Sequence, residues 1–377
     1  MIDAPIFPVP AHEPALRQEV RRFLREHLPA DAEPTLGLAS RHDPEFSQAL
    51  AERGWVGMAI PKQYGGHERG AVDRWIVAEE LMAGGAPMDA HWFADRQQGP
   101  LIAHFGSEYL KTRLLPEICA GRCYIAVGLS EPEAGSDLAS VRTTATKVDG
   151  GWQLNGSKIW TSNVHNSHWI CVLCRTDPDT DDRHQGLSQL YVDTASSGIT
   201  IRPIPLMEGH DQLNEVFFDD VFVPDAMLLG EPGSGWAQVT SELVSERGGP
   251  DRYMSVVQLL RRAIREQAAV LRDHRTRFGE LLARLATLRR MSMSVAVMTD
   301  LGVNPGARVP MLKDLSTTFE QETVAFLHDV ITHPLHRAED QPPLQKLLVK
   351  AVLNAPTFTL RGGTNEVLRN LIARGLT

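Results

Sequence analysis

AVGLSEPEAGSD, from Ala126 to Asp137, and GSKIWTSN, from Gly156 to Asn163, decide how the rest of the chain is read. The first packs Gly128, Ser130, Pro132, Gly135 and Ser136 too closely for a helix, so its backbone is irregular and its N–H groups are free to donate elsewhere. The second sets Trp160 beside Thr161, Ser162 and Asn163 at the end of a predicted strand, an apolar wall next to hydrogen-bonding groups. Together the two runs predict a seat for a planar ring with polar edges. A tight turn at a domain boundary and a plain core Trp are the alternatives for each run taken alone.

Around these runs, from Tyr124 to about Val223, the chain is β-prone. TTATKVDGGWQLNGSKIWT turns at Asp149, Gly150 and Gly151 between alternating segments, which predicts a hairpin. HWICVLCR, LSQLYVDT, ITIRPIPL and EVFFDDVFVP predict further strands, and the polar run from Asp177 to Gly186 predicts a solvated loop. Upstream, PALRQEVRRFLREHL puts Leu16, Val20, Phe23, Leu24 and Leu28 on one helical stripe. GWVGMAIPKQYGG, with Pro61 and a Gly pair, predicts a loop, and helices follow over VDRWIVAEELMA and from Pro100 to Cys119. Trp55, His91, Trp92 and Phe93 in this first third read as core more readily than as the lining of a cleft. Downstream, helical periodicity covers Gln238 to Glu246, Tyr253 to Leu288, Val309 to His333 and Pro343 to Leu353. Helices, then strands, then helices predict an α+β fold with no Gly-rich strand-to-helix turn of the dinucleotide-binding kind.

Composition narrows the function classes. A hydrophobic content of 42% with 23% charged residues supports a packed globular chain, and 377 residues suggest two or three units. The net charge of −9 argues against a nucleic-acid partner, and the densest basic run, Arg261, Arg262 and Arg265, has the spacing of a solvated helix face. No apolar run approaches the roughly 18 residues of a membrane span, and the N-terminus places prolines where a signal sequence needs an apolar core, so a cytoplasmic location is expected. Cys171 and Cys174 alternate to opposite faces of a predicted strand, so no metal site is expected.

With these motifs in order, the chain resembles the acyl-CoA dehydrogenase family, with one matching motif in each third. The resemblance implies an N-terminal helical domain (1–122), a middle β-barrel or sandwich-like domain (123–232) and a C-terminal four-helix-bundle domain (233–377). It implies FAD as cofactor and an acyl-CoA substrate, dehydrogenated at its α and β carbons to the trans-2-enoyl-CoA. An electron-transferring flavoprotein or a similar acceptor, and a homodimer, homotetramer or heterotetramer with a related subunit, are the implied partners. Carried over onto this sequence, Leu129 and Ser130 would face the pyrimidine edge of the flavin, Gly135 and Ser136 its phosphates or the pantetheine arm, and Trp160 and Ser162 the ring. Arg275 and Phe278 in RTRFGELL match a motif whose Arg reaches FAD phosphates bound mainly by another subunit, and Thr364 and Glu366 in GGTNEV match positions on the adenosine part.

The base departs from the commonest family pattern. Most members place a Glu directly before the C-terminal Gly-Thr, where TLRGGTNEVLRN has Gly362, which cannot be the base. A minority place it on a helix before an Arg, and ELVSERGGPDRY offers Glu246 and Arg247, with Glu242 one turn earlier as the rival carboxylate. Gly248, Gly249 and Pro250 predict a break just after that pair. The family's Gly-rich pyrophosphate stretch has no counterpart between Leu301 and Leu360, a pattern that resembles family members working as unlike pairs. A flavin-dependent monooxygenase or oxidase on the same fold, and a non-catalytic partner subunit, are the alternative functions.

Overall fold

The computed structural model describes residues 7–8, 10–29, 32, 36, 41–207, 209, 212–331 and 341–375, without the side chains of 243–246. In chain order these form α1 (Glu13–His27), α2 (Pro44–Glu52), α3 (Ala71–Gly84), α4 (Gly99–Phe105) and α5 (Glu108–Cys119). Strands β1 (Ile125–Gly128), β2 (Thr144–Val148), β3 (Gly151–Ser162), β4 (Trp169–Arg175), β5 (Leu187–Asp193), β6 (Ile199–Ile204) and β7 (Leu213–Pro224) follow. Helices α6 (Gly235–Arg247), α7 (Val257–Glu266), α8 (Ala268–Asp273), α9 (Arg275–Asp300), α10 (Arg308–Val330), α11 (Pro343–Phe358) and α12 (Asn365–Arg374) complete the chain. The α+β class expected from the order of periodicities is the class found, and the chain divides into two compact units, one of residues 41–69 and 87–246 and one of 1–40, 70–86 and 247–377.

The first of these units is built on a seven-stranded sheet of order β1-β4-β2-β3-β7-β6, with β5 on the other side of β4. The β2–β3 hairpin turns at Asp149 and Gly150 with Val148 opposite Gly151, as the turn residues predict. β1 runs parallel to β4, which presents the segment after Gly128 at the strand's carboxyl end. Ile170, Val172, Tyr191, Val216 and Val221 are wholly buried, each such apolar side chain contributing about 1.5–3 kcal/mol. Trp55, His91 and Trp92 are core residues here, His91 meeting Ser47 Oγ at 2.8 Å, and the 177–185 segment is largely exposed.

In the other unit the stripe on α1 buries Leu16, Val20, Phe23 and Leu24 against α3. A buried charge cluster joins the same elements. Arg17 bonds Glu79 at 2.6 Å and Glu80 at 2.7 Å, while Arg289 of α9 and the Tyr253 hydroxyl reach Glu79 at 2.8 and 3.1 Å. Each charge is matched, as burial demands. One expected element is different: the helix predicted from Tyr253 to Leu288 begins at Val257, breaks at Gln267 and at His274, and runs on to Asp300. Both break residues leave helical geometry without Gly or Pro, so no local signal marks them. The break predicted after Arg247 is present, as a short 3₁₀ turn over Pro250–Arg252.

Candidate functional site

The two decisive runs lie side by side. Backbone of β3 reaches the loop after β1, Ile159 N–H donating to the Ser130 carbonyl at 2.9 Å. Beneath that bond lies Lys158, wholly buried, whose Nζ donates to the Leu129 carbonyl at 3.0 Å and to Glu131 at 2.7 Å. Glu131 also accepts the backbone N–H groups of Arg142 at 2.6 Å and Thr143 at 2.9 Å. Burial alone would raise the Glu131 carboxyl, but the Lys158 charge and these donors outweigh it and hold the group below its usual range. Gly128 makes the room: a Cβ there would stand 3.3 Å from Lys158 Cγ and 2.9 Å from Ile170 Cδ1.

Past Lys158 the strand leaves its register with β7, and Trp160 adopts φ +59°, a left-handed conformation a Trp pays about 1–2 kcal/mol to hold. This turns the indole out of the sheet, where 54% of it is exposed. Ser130 and Ser162 are half-buried, while Gly135 and Ser136 are exposed with open space above Gly135. The Ser130 N–H has no acceptor among the described residues. An exposed indole, two half-buried hydroxyls and an amide with no acceptor among the described residues form a donor set that fits the edge and face of a flavin ring. Next in the strand's exit, Asn163 at φ +54° donates its side-chain N–H to Asp89, whose carboxyl is pushed up to about 7 by burial.

Behind the loop stands α6. Val239 packs with Ala134, Val141, Leu173 and Leu187 in an apolar cluster that Leu129, Leu138 and Trp236 join. Glu242 is buried one turn on and accepts from Gln98 Nε2 at 2.8 Å; Gln98 in turn accepts from the Tyr191 hydroxyl at 2.8 Å. Glu246 follows at the next turn, its side chain outside the described residues. A hollow of about 390 Å³ between Trp152, Thr176, Gln185 and Gly233 contains none of these groups.

The C-terminal motif forms a separate cluster. Arg247 donates Nε–H to the Gly362 carbonyl at 3.1 Å, and the buried Lys313 donates to the Gly363 carbonyl at 2.5 Å. Gly362 and Gly363 have φ of +64° and +91°, which glycine alone adopts without strain. Thr364 caps α12, accepting from Val367 N, and Glu366 is exposed in its first turn. Arg275 is exposed at the start of α9, and Phe278 stacks on Phe326 with centroids 6.2 Å apart. Among the described residues no group of His, Cys, Asp and Glu has the arrangement to hold a metal.

Models of the acyl-CoA dehydrogenase N-terminal, middle and C-terminal domains match residues 10–122, 126–221 and 233–377. Acyl-CoA dehydrogenase IpdE1 of Mycobacterium tuberculosis is 32% identical over 377 residues, covering 95% of this chain and 95% of that protein. The chain belongs to the acyl-CoA dehydrogenase family. A second family relative, acyl-CoA dehydrogenase FadE29 of the same organism, is 35% identical over 247 residues, 64% of this chain and 63% of that protein's length. Among solved structures, the Tcur3481-Tcur3483 steroid ACAD has a TM-score of 0.86 at 27% identity and covers 98% of both chains. Within the family frame, the residues that sequence reasoning missed are Glu131, Lys158, Asp89 and Gln98. A Lys at an inward slot of an alternating strand was the available signal for the first pair, because a buried ammonium requires a carboxylate.

Proposed function

We propose that this acyl-CoA dehydrogenase family member carries out FAD-dependent α,β-dehydrogenation of an acyl-CoA to its trans-2-enoyl-CoA, with Glu246 as the base for the α proton. FAD, when bound, would supply the acceptor for the β hydride, and an electron-transferring flavoprotein or a similar acceptor would reoxidise it. The observation that carries this reading is the seat itself, with Trp160 turned outward beside Ser162 and a Ser130 N–H that has no acceptor among the described residues. Leu129, Ser130, Trp160 and Ser162 hold the ring, Ser130 stabilising charge at its pyrimidine edge. Gly135 and Ser136 admit the phosphates or the pantetheine arm.

Glu246 stands two turns, about 10 Å, beyond Val239, which packs behind that seat. Gly362 carries no carboxylate, and its turn is held by Arg247, so the α proton is left to α6. Arg275 and Phe278 on one side, and Thr364 and Glu366 on the other, serve FAD across a subunit boundary, in a homodimer, homotetramer or a heterotetramer with a related chain. The steroid ACAD neighbour, whose name joins two proteins, supports the unlike pair, and steroid side-chain thioesters are among the substrates to test.

Anaerobic titration of the flavin-loaded protein with short, branched, aromatic and steroid side-chain acyl-CoAs, alongside native mass determination, tests the proposal. Bleaching restored by an external acceptor and poorly by oxygen is expected; rapid reoxidation by oxygen with an oxygenated product refutes dehydrogenation. Glu246→Gln keeps flavin and slows bleaching about 10²–10⁴-fold. Normal bleaching in Glu246→Gln together with its loss in Glu242→Gln moves the base to Glu242.

A further inference from the structure

We propose that Lys158 is a positioning residue for the flavin: by holding the Leu129 carbonyl inward it aims the Ser130 N–H outward at the ring. The inference rests on the flavin reading above and goes beyond it in naming what orients the donor. A trans peptide is planar, so its C=O and N–H point in opposite directions. The peptide joining Leu129 to Ser130 has its oxygen on Lys158 Nζ at 3.0 Å, inside the protein. Its N–H, which belongs to Ser130, therefore points away from Lys158, and no described residue accepts it. The next carbonyl, that of Ser130, is tied to the same strand by Ile159 N–H at 2.9 Å, while the Glu131 N–H closes a turn onto the Ala134 carbonyl at 2.9 Å. The Ser130 N–H is thus oriented by its own peptide and has no acceptor among the described residues.

The buried ammonium is necessary to this arrangement. A loop of small residues has many backbone states, and the Leu129 peptide is free to rotate unless its oxygen has an inward partner. Lys158 sits at an inward slot of β3, with its stem over Gly128 and Glu131 compensating its charge at 2.7 Å. The ion pair accordingly does more than neutralise two charges. It sets the direction of one amide before any ligand arrives, which is the preorganisation that stabilises charge on a reduced ring without reorganisation during the reaction.

The test compares the native protein with Lys158→Met/Glu131→Gln, which removes both charges together, and with Glu131→Gln, which leaves Lys158 on the Leu129 carbonyl. Two readouts are used: the midpoint potential of bound FAD, and amide hydrogen exchange of the 128–134 segment in flavin-free protein. In the double variant the potential is expected to fall by about 30 mV, a tenfold loss of preference for the reduced ring, and exchange in the segment to accelerate about tenfold or more. Glu131→Gln is expected to keep the potential within half that shift.

A double variant that binds FAD at the native potential overturns the proposal. Where the double variant does not fold, a full drop in Glu131→Gln alone overturns it. Should the native chain take up no FAD, with or without a partner subunit, the flavin reading fails, and the exchange experiment still decides the hold on Leu129: unchanged exchange overturns it.

Discussion

Replacing Asp89 with Asn is expected to remove a large pH dependence from the protein's stability. Asp89 is buried, 6% exposed, and its burial pushes the carboxyl up to about 7 against the opposing hydrogen bond from Asn163. In the unfolded chain the same group ionises near 3.8. Between those values the unfolded chain binds fewer protons than the folded one, so stability falls as pH rises through the window and levels off above about 7. At about 1.4 kcal/mol for each tenfold step, a window of about three pH steps amounts to about 4 kcal/mol. Asn has no proton to lose, and its side-chain carbonyl still accepts from Asn163. Urea denaturation of native and Asp89→Asn protein, followed by tryptophan fluorescence from about pH 4.5 to 8, reads the difference directly. The variant gains on the native protein as pH rises, by about 3–4 kcal/mol across the range. A difference flat to within about 1 kcal/mol refutes the reasoning.

Glu320 offers the same experiment in the other unit: it is fully buried, is pushed up to about 7 by that burial, and accepts Ser255 N at 2.9 Å. Stability contributed at low pH is again lost as pH rises from about 4.5 to 7, so Glu320→Gln gains on the native protein toward pH 8, and a pH-independent difference in denaturation midpoint contradicts this. Gly363→Ala is expected to cost about 1–2 kcal/mol from its φ of +91° alone, with a Cβ placed 2.9 Å from Arg247 Nη2. An unchanged midpoint in chemical denaturation of this variant removes strain from the account of that turn.

How far the sequence led depends on whether a feature was local. The β2–β3 hairpin was legible because Asp149, Gly150 and Gly151 carry their own turn chemistry, and the α1 stripe because burial repeats with the helix. α12 was read as a motif and not as a helix, although Thr364 is an ordinary N-cap. The breaks at Gln267 and His274 carry no Gly or Pro to mark them. Likewise the outward Trp160 depends on a register shift against β7, a partner about fifty residues away, and alternation alone would have placed it in the sheet face. The candidate site was read from the sequence as a constellation of residue types, and the structure sets two of its runs, at Ser130 and Ile159, side by side. What orients them was not legible there, because Lys158 finds Glu131, and Asn163 finds Asp89, only once the chain has folded.

The charge cluster around Glu79 sets an order on biosynthesis. Its carboxylate lies in α3, but Tyr253 and Arg289, which complete it, are made about two hundred residues later. The sheet-bearing unit ends at Glu246 and has all its strands available before then, while α1 and α3 wait on the ribosome for the last third of the chain. A prematurely terminated product therefore retains Glu79 and Glu80 with Arg17 and Arg21 of α1 but without Arg289, which leaves Glu79 with Arg17 alone of its two arginines. That corner of the unit therefore reaches its full set of contacts only once α9 has been made.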